Sequence, residues 1–229
     1  MKKSRTIFIW DIHWCYDEFK LLIKKLSIEK NDRVFLTWDL INRWPKNYKI
    51  LKFLYKNREQ YRSVIWNNEI NFLRYIEWKY NKSNKIFKNL KKKIYKKETF
   101  YLLWYLENLP KYIEEENFIL IHWWLNPKKT INEQDVDEIT RIRLFNWKPW
   151  YSFYKWKKKI IYWHWAENWI QLRKNTIWID SWCVYWNFLT AYILETWEII
   201  QQSALKTYEK VHYNNILTNI INIFKNKWN

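Results

Sequence analysis

The chain has 229 residues, a formal charge of +18 at pH 7, and apolar residues at 48% of positions. That length suits one domain with a sizeable core. No run of eighteen apolar residues is present, which excludes an ordinary membrane-spanning helix.

In chain order, Thr6–Ile9 reads as a strand leading into a loop over 10–15. Tyr16–Leu26 places Phe19, Leu22, Ile23 and Leu26 at helical spacing. Arg33–Leu36 is a second strand, followed by a loop over 38–45. Tyr48–Tyr55 is helical, with Ile50, Leu51 and Leu54 on one face, and Ser63–Ile65 is a third strand. Residues 70–116 are Lys-rich and mostly helical in pattern, as expected of an insert within the domain. Phe118–Ile121 is a strand ending at His122, and Glu133–Leu144 is a helix. Ile160–Tyr162, Thr176–Ile179, Phe188–Leu194 and Glu198–Gln201 are strands. The tail, about 213–225, has Ile216, Ile220, Ile221 and Phe224 on one face and reads as a docking helix. Alternation of strand, loop and helix is the signature of an α/β fold.

The N-terminal apolar piece runs straight into Asp11 and lacks a cleavage site, so a cytoplasmic protein is expected. Cys15 and Cys183 make no disulfide framework and are expected as reduced thiols near packed turns. The positive charge fits a polyanionic partner. Yet the lysines are spread along the chain with only short runs, Lys91–Lys93 and Lys157–Lys159, so a nucleic-acid surface is possible but not favoured.

Glycine is absent and tryptophan occurs 20 times. Average usage predicts about sixteen glycines in this length. The tryptophans sit in turn-like contexts, such as Trp10-Asp11, Trp38-Asp39, Trp44-Pro45, Trp66-Asn67, Trp123-Trp124 and Trp182-Cys183. Such places often need positive φ or close backbone approach, which glycine supplies and a bulky residue does not. The expectation is that one letter stands for the other. A source reading UGA as glycine, translated with a table reading UGA as tryptophan, would produce this pattern. Trp150 and Trp165 lie without a turn demand and are candidates for genuine tryptophan.

Three of the four histidines, His13, His122 and His164, fall directly after expected strands; His212, near the tail, does not. Interleaved with Asp11, Asp39 and Asn67, they offer nitrogen and oxygen donors for a pair of divalent cations. Loops at the carboxyl ends of strands are where α/β folds hold ligands.

With glycine restored, residues 10–15 read GDIHGC, 38–45 read GDLINRGP, 66–69 read GNNE, 121–124 read IHGG and 162–169 read YGHWAENG. The ordered set resembles the motifs of the calcineurin-like metallophosphoesterases. The segment 176–194 is similar to the closing strands of the symmetrical diadenosine tetraphosphatases and their bacterial Ser/Thr phosphatase relatives. The resemblance spans roughly residues 6–200. It implies two β-sheets flanked by helices and two divalent cations: Mn, Fe, Zn or Co, with Mn favoured. Asp11 and His13 would bind one cation, Asp39 would bridge both, and Asn67, His122 and His164 would complete the second site. Such a bridge sets two cations about 3.5–4 Å apart, and a water between them is acidified for in-line attack on phosphorus. Arg43 matches the family's phosphate-gripping arginine, a forked donor suited to the task; Arg143 would assist.

Asn68 departs from the family pattern, which has histidine there to protonate the leaving oxygen. An amide cannot act as an acid, so good leaving groups would suffer least. The favoured substrate is therefore a dinucleoside polyphosphate. A Ser/Thr phosphoprotein is the alternative, a catalytically weakened binding protein on the same fold is a second, and a basic nucleic-acid-processing phosphodiesterase is a third. Tryptophans at 10, 38, 66 and 163 are expected to splay into the cleft or to hold strained dihedrals.

Overall fold

The computed structural model describes residues 4–10, 12, 15–37, 40–41, 47–79, 85–141, 144–145, 148–162, 171–179 and 181–208. The chain runs through β1 (Thr6–Trp10), α1 (Tyr16–Leu26), β2 (Arg33–Thr37), α2 (Asn47–Lys56) and β3 (Tyr61–Ser63). Three helices follow: α3 (Asn67–Ile76), α4 (Lys85–Lys96) and α5 (Tyr101–Glu107). Next come β4 (Tyr112–Glu114), β5 (Phe118–Ile121), α6 (Val136–Arg141), β6 (Leu144–Phe145) and β7 (Lys148–Pro149). After a short 3-10 helix at Trp150–Phe153 the chain forms β8 (Lys159–Tyr162), β9 (Gln171–Leu172), β10 (Thr176–Trp178), β11 (Phe188–Ile193) and β12 (Glu198–Ser203).

The strands form two five-stranded sheets, ordered β12-β11-β1-β2-β3 and β4-β5-β8-β10-β9, with a small β6-β7 hairpin. In each sheet three strands are parallel, β1-β2-β3 in one and β5-β8-β10 in the other, with antiparallel strands outside them. Strands buried on both faces need no alternation of polar and apolar residues, and every residue of β1 and β5 is buried. The sheets meet through Phe118, whose ring lies edge-on to Phe8 at 4.9 Å and to Phe35 at 5.1 Å. Each such aromatic pair contributes about 0.5–1.5 kcal/mol beyond its burial.

The helices follow their apolar spacing. Phe19, Leu22 and Leu26 of α1 face the core, Asp17 and Glu18 occupy its first turn, and Lys24 and Lys25 its last. Those charges oppose the partial charges of the helix ends. In α4, Phe87, Leu90 and Ile94 are buried beneath a lysine-rich outer face.

Three boundaries differ from the sequence expectations. The third strand is Tyr61–Ser63, two residues earlier than expected. Its alternation of buried, exposed and buried residues is the strand period. The apolar Val64-Ile65-Trp66 that suggested a strand is an irregular buried segment, where Ile65 N–H bonds Pro110 C=O at 2.8 Å. The helix expected over 133–144 covers only Val136–Arg141. Asp135 Oδ1 accepts from Asp137 N–H at 2.8 Å, an aspartate cap that starts the helix there. The expected insert over 70–116 is helical from Asn67, but its end forms β4, paired antiparallel with β5. The expected tail helix lies outside the described residues.

Among the described residues, three tryptophans occupy the left-handed region: Trp78 (φ 61°), Trp182 (φ 56°) and Trp197 (φ 63°). Trp78 N–H bonds Tyr75 C=O at 3.3 Å and Lys79 N–H bonds Arg74 C=O at 2.8 Å, after a helix whose C-cap is Glu77. This is a Schellman closure with tryptophan at its glycine position. Trp197 ends the loop of the β11–β12 hairpin, with its N–H on Ile193 C=O at 2.9 Å. Trp150, by contrast, is buried with its ring edge-on to Tyr162 at 4.9 Å, as a genuine core tryptophan would be.

Candidate metal centre

The candidate ligands follow the parallel strands of the two sheets in chain order. Asp11 follows β1 directly, Asp39 follows β2, Asn67 follows β3, His122 follows β5 directly and His164 follows β8. These are carboxyl ends of parallel strands, where α/β folds present ligand-binding groups. Asp11, His13, Asp39, Arg43, Arg143 and His164 lie outside the described residues, as do Trp38, Trp163 and Trp165. Asn67, Asn68 and His122 are described.

Asn67 opens α3 and Asn68 is its second residue; both are half-buried. His122 is fully buried at the end of β5. The Trp66 ring packs against the His122 imidazole with centroids 4.0 Å apart. One sheet supplies β3 and the other β5, so this contact brings the carboxyl ends of two strands from different sheets to one place. Of the expected ligands, His122 is in this contact and Asn67 is the residue that follows Trp66 in the chain.

The Asn67 Oδ1 atom is buried with no hydrogen-bond partner among the described residues. A buried acceptor without a partner costs about 1–3 kcal/mol. A hard cation is a natural partner for an amide oxygen, so this residue fits a metal-binding role. The ring nitrogens of a histidine following a strand fit the same role.

The expected distortion at the tryptophans takes another form. Trp66 has ordinary extended dihedrals (φ −128°, ψ 167°) and Trp10 lies within β1; both are fully buried. Neither is strained in its backbone. A large aromatic gains more by entering the core than by facing solvent. The misfit shows instead in polar atoms: the indole Nε1 atoms of Trp10 and Trp178 are buried without a hydrogen-bond partner among the described residues.

Glu69 was not singled out from sequence, although it closes the 66–69 motif. It is fully buried on α3, and its Oε1 accepts the Ile41 N–H at 2.6 Å. Ile41 belongs to the stretch between β2 and α2 that carries Asp39 and Arg43 in sequence. A carboxylate within the core, two residues beyond the candidate ligand Asn67, was the available signal.

No family model matches the chain. A symmetrical bis(5'-nucleosyl)-tetraphosphatase of Buchnera aphidicola subsp. Schizaphis graminum is 30% identical over 163 residues, covering 69% of this chain and 59% of that relative. Another protein of that name, from Buchnera aphidicola subsp. Baizongia pistaciae, is 35% identical over 107 residues, covering 46% of this chain and 37% of the relative. The chain thus spans less than two thirds of the relatives it matches. Among solved structures, one described as a candidate diadenosine tetraphosphatase superposes with a TM-score of 0.70 at 23% identity, covering 89% of this chain and 95% of that one. A metallophosphoesterase from Sphaerobacter thermophilus superposes with a TM-score of 0.59 at 10% identity, covering 89% of each chain. These two likenesses show a shared fold of two sheets flanked by helices, and the curated relatives match at the level of sequence. The chain thus shares the metallophosphoesterase fold and is similar in sequence to symmetrical bis(5'-nucleosyl)-tetraphosphatases, which supports the resemblance to the calcineurin-like metallophosphoesterases.

Proposed function

We propose that the chain is a dinuclear metal-dependent hydrolase of phosphoanhydride bonds, acting on dinucleoside polyphosphates and cleaving a tetraphosphate symmetrically. The observation that supports the reading is the packing of Trp66, the residue before Asn67, against His122 across the two sheets, with the Asn67 Oδ1 atom buried and without a hydrogen-bond partner among the described residues. The names of the curated relatives support the substrate class.

In this reading Asp11 and His13 would hold one divalent cation, Asp39 would be shared between the two, and Asn67, His122 and His164 would hold the second, with manganese favoured. The cations supply positive charge that acidifies water and offsets the charge of the phosphate oxygens. Arg43 grips the substrate phosphate through its forked donors, and Arg143 assists. Glu69 holds the backbone of the Asp39–Arg43 stretch at Ile41. Asn68 stands where an acid would protonate the leaving oxygen and cannot do so. A nucleoside diphosphate leaves readily without that proton, whereas a serine alkoxide does not. The same reading holds that the working protein carries glycine at the turn-placed tryptophans, above all 10, 38, 66 and 163.

The test compares diadenosine tetraphosphate with a phosphoserine peptide, in manganese, using chain with glycine at those four positions. Release of adenosine diphosphate at a rate well above peptide dephosphorylation is expected. Faster release of phosphate from the peptide would transfer the proposal to a protein phosphatase. Metal binding without either activity would leave only a binding protein.

A further inference from the structure

Three groups that the phosphoesterase reading does not use meet beside α1. Cys15 flanks the helix, Glu18 lies in its first turn, and Cys183 lies in the segment before β11. Their sulfur and carboxylate atoms all lie within 4.8 Å of one another, and all three residues are fully buried. The two cysteines form no disulfide with each other.

Glu18 is held in place by donors from the far end of the described chain. Its Oε1 accepts the Leu205 N–H at 2.8 Å, and the Tyr208 hydroxyl lies 2.8 Å from each carboxylate oxygen. Burial, then the hydrogen bond to Glu18, raises the Tyr208 phenol above its ordinary value, which keeps it a donor. Both donors are neutral. A buried carboxylate is costly without a positive partner. An oriented carboxylate beside two thiols is also what a metal site with outer hydrogen-bond donors presents.

We propose that Cys15, Glu18 and Cys183 bind one thiophilic divalent cation, zinc in kind, at a site separate from the phosphoesterase centre. Sulfur donors select zinc over magnesium, calcium or manganese, which prefer oxygen. Binding forms two metal–sulfur bonds and one metal–oxygen bond and releases the two thiol protons to water. Three protein donors leave one of the usual four positions for water. The site joins the start of α1 to Cys183 and, through Glu18, to the backbone at Leu205 and the ring of Tyr208. This proposal does not rest on the phosphoesterase reading, whose ligands are all nitrogen and oxygen.

Cobalt(II) separates the two sites, because a thiolate-to-cobalt charge-transfer band arises only where sulfur is a ligand. The reduced, metal-free full chain is titrated with cobalt. The band is expected to saturate at one cobalt per chain, to vanish in Cys183→Ser and to persist in His164→Ala. Tyr208→Phe is expected to weaken cobalt binding about tenfold or more, as loss of an outer donor does. Should Cys183→Ser fail to fold, thiol modification of the unaltered chain gives the same answer: zinc slows it at both cysteines and a chelator restores it. Absence of the band together with unprotected thiols overturns the proposal. So does a Cys15–Cys183 disulfide that forms in air in the presence of zinc.

Discussion

Trp66 lies against His122 with ring centroids 4.0 Å apart, and Asn67 follows it as the first residue of α3. The indole therefore fills space beside a candidate metal ligand. Trp66→Gly is expected to tighten manganese binding by about tenfold, a change of about 1.4 kcal/mol. Apo stability is expected to fall by up to about 5 kcal/mol, because a buried tryptophan is removed. Asn67→Ala should weaken manganese binding by about a hundredfold, since loss of even an outer-sphere partner weakens metal sites by about 10–100-fold. Calorimetric titration of the two variants checks both numbers.

Glu69 acts at one remove from the proposed chemistry. Removing it leaves the Ile41 N–H without its acceptor, which costs about 1–3 kcal/mol. Glu69→Ala should therefore lower stability by that amount and reduce kcat more than it raises KM, because Asp39 and Arg43 share the stretch it anchors. Glu69→Gln keeps a carbonyl acceptor and should recover most of both losses. Urea melts with steady-state kinetics read the two effects separately.

Trp78 and Trp197 provide a clean test of the missing glycines, because both side chains are exposed and bury little. A non-glycine residue in the left-handed region costs roughly 1–2 kcal/mol. Trp78→Gly and Trp197→Gly should each raise stability by about 1 kcal/mol, with near-additive effects because the sites are separate. Thermal unfolding of the single and double variants gives the answer. A loss of stability in both would mean that tryptophan is the native residue at these turns. Intact mass of protein from the native source must agree with the outcome.

Asp32 ties the start of β1 to the turn before β2. It pairs with Arg5, whose Nη2 lies 2.5 Å from Oδ2, and it accepts the Arg5 N–H at 3.0 Å and the Glu29 N–H at 2.8 Å. Burial pushes its carboxyl up, but the hydrogen bonds from Arg5 and from the Glu29 and Arg5 amides outweigh burial and hold it below the ordinary carboxylate value. A depressed folded value gives stability that is whole above the ordinary carboxylate pKa and lost as pH falls through the depressed one. Asp32→Asn should reduce stability at neutral pH by about 1–3 kcal/mol and flatten the acid limb of the stability curve. Urea melts across an acidic pH series test both features.

The sequence made the helices and inner strands legible where one period was unambiguous. The boundaries of α1 were read as the structure has them because Phe19, Leu22 and Leu26 repeat on one face, and β5 because Phe118–Ile121 is bounded by polar residues. Position failed where burial and strand geometry part company. Val64 and Ile65 are buried without being a strand, and β4, within a Lys-rich stretch, has only Ile113 fully inside. The ordering of the motifs conveyed which residues follow which strands. It did not convey that Glu69 reaches back to Ile41, nor that Cys15 and Cys183 meet, since both depend on the packing of elements distant in sequence. The resting places of Trp10 and Trp66 were also illegible, because core burial overrode the turn context that marked them.

The most direct test is anomalous diffraction from crystals grown with manganese, using chain with glycine at 10, 38, 66 and 163. Two manganese ions about 3.5–4 Å apart, with Asp39 between them and with Asn67 and His122 on one of them, is the predicted result. Asn67 and His122 lying away from any bound ion would contradict it.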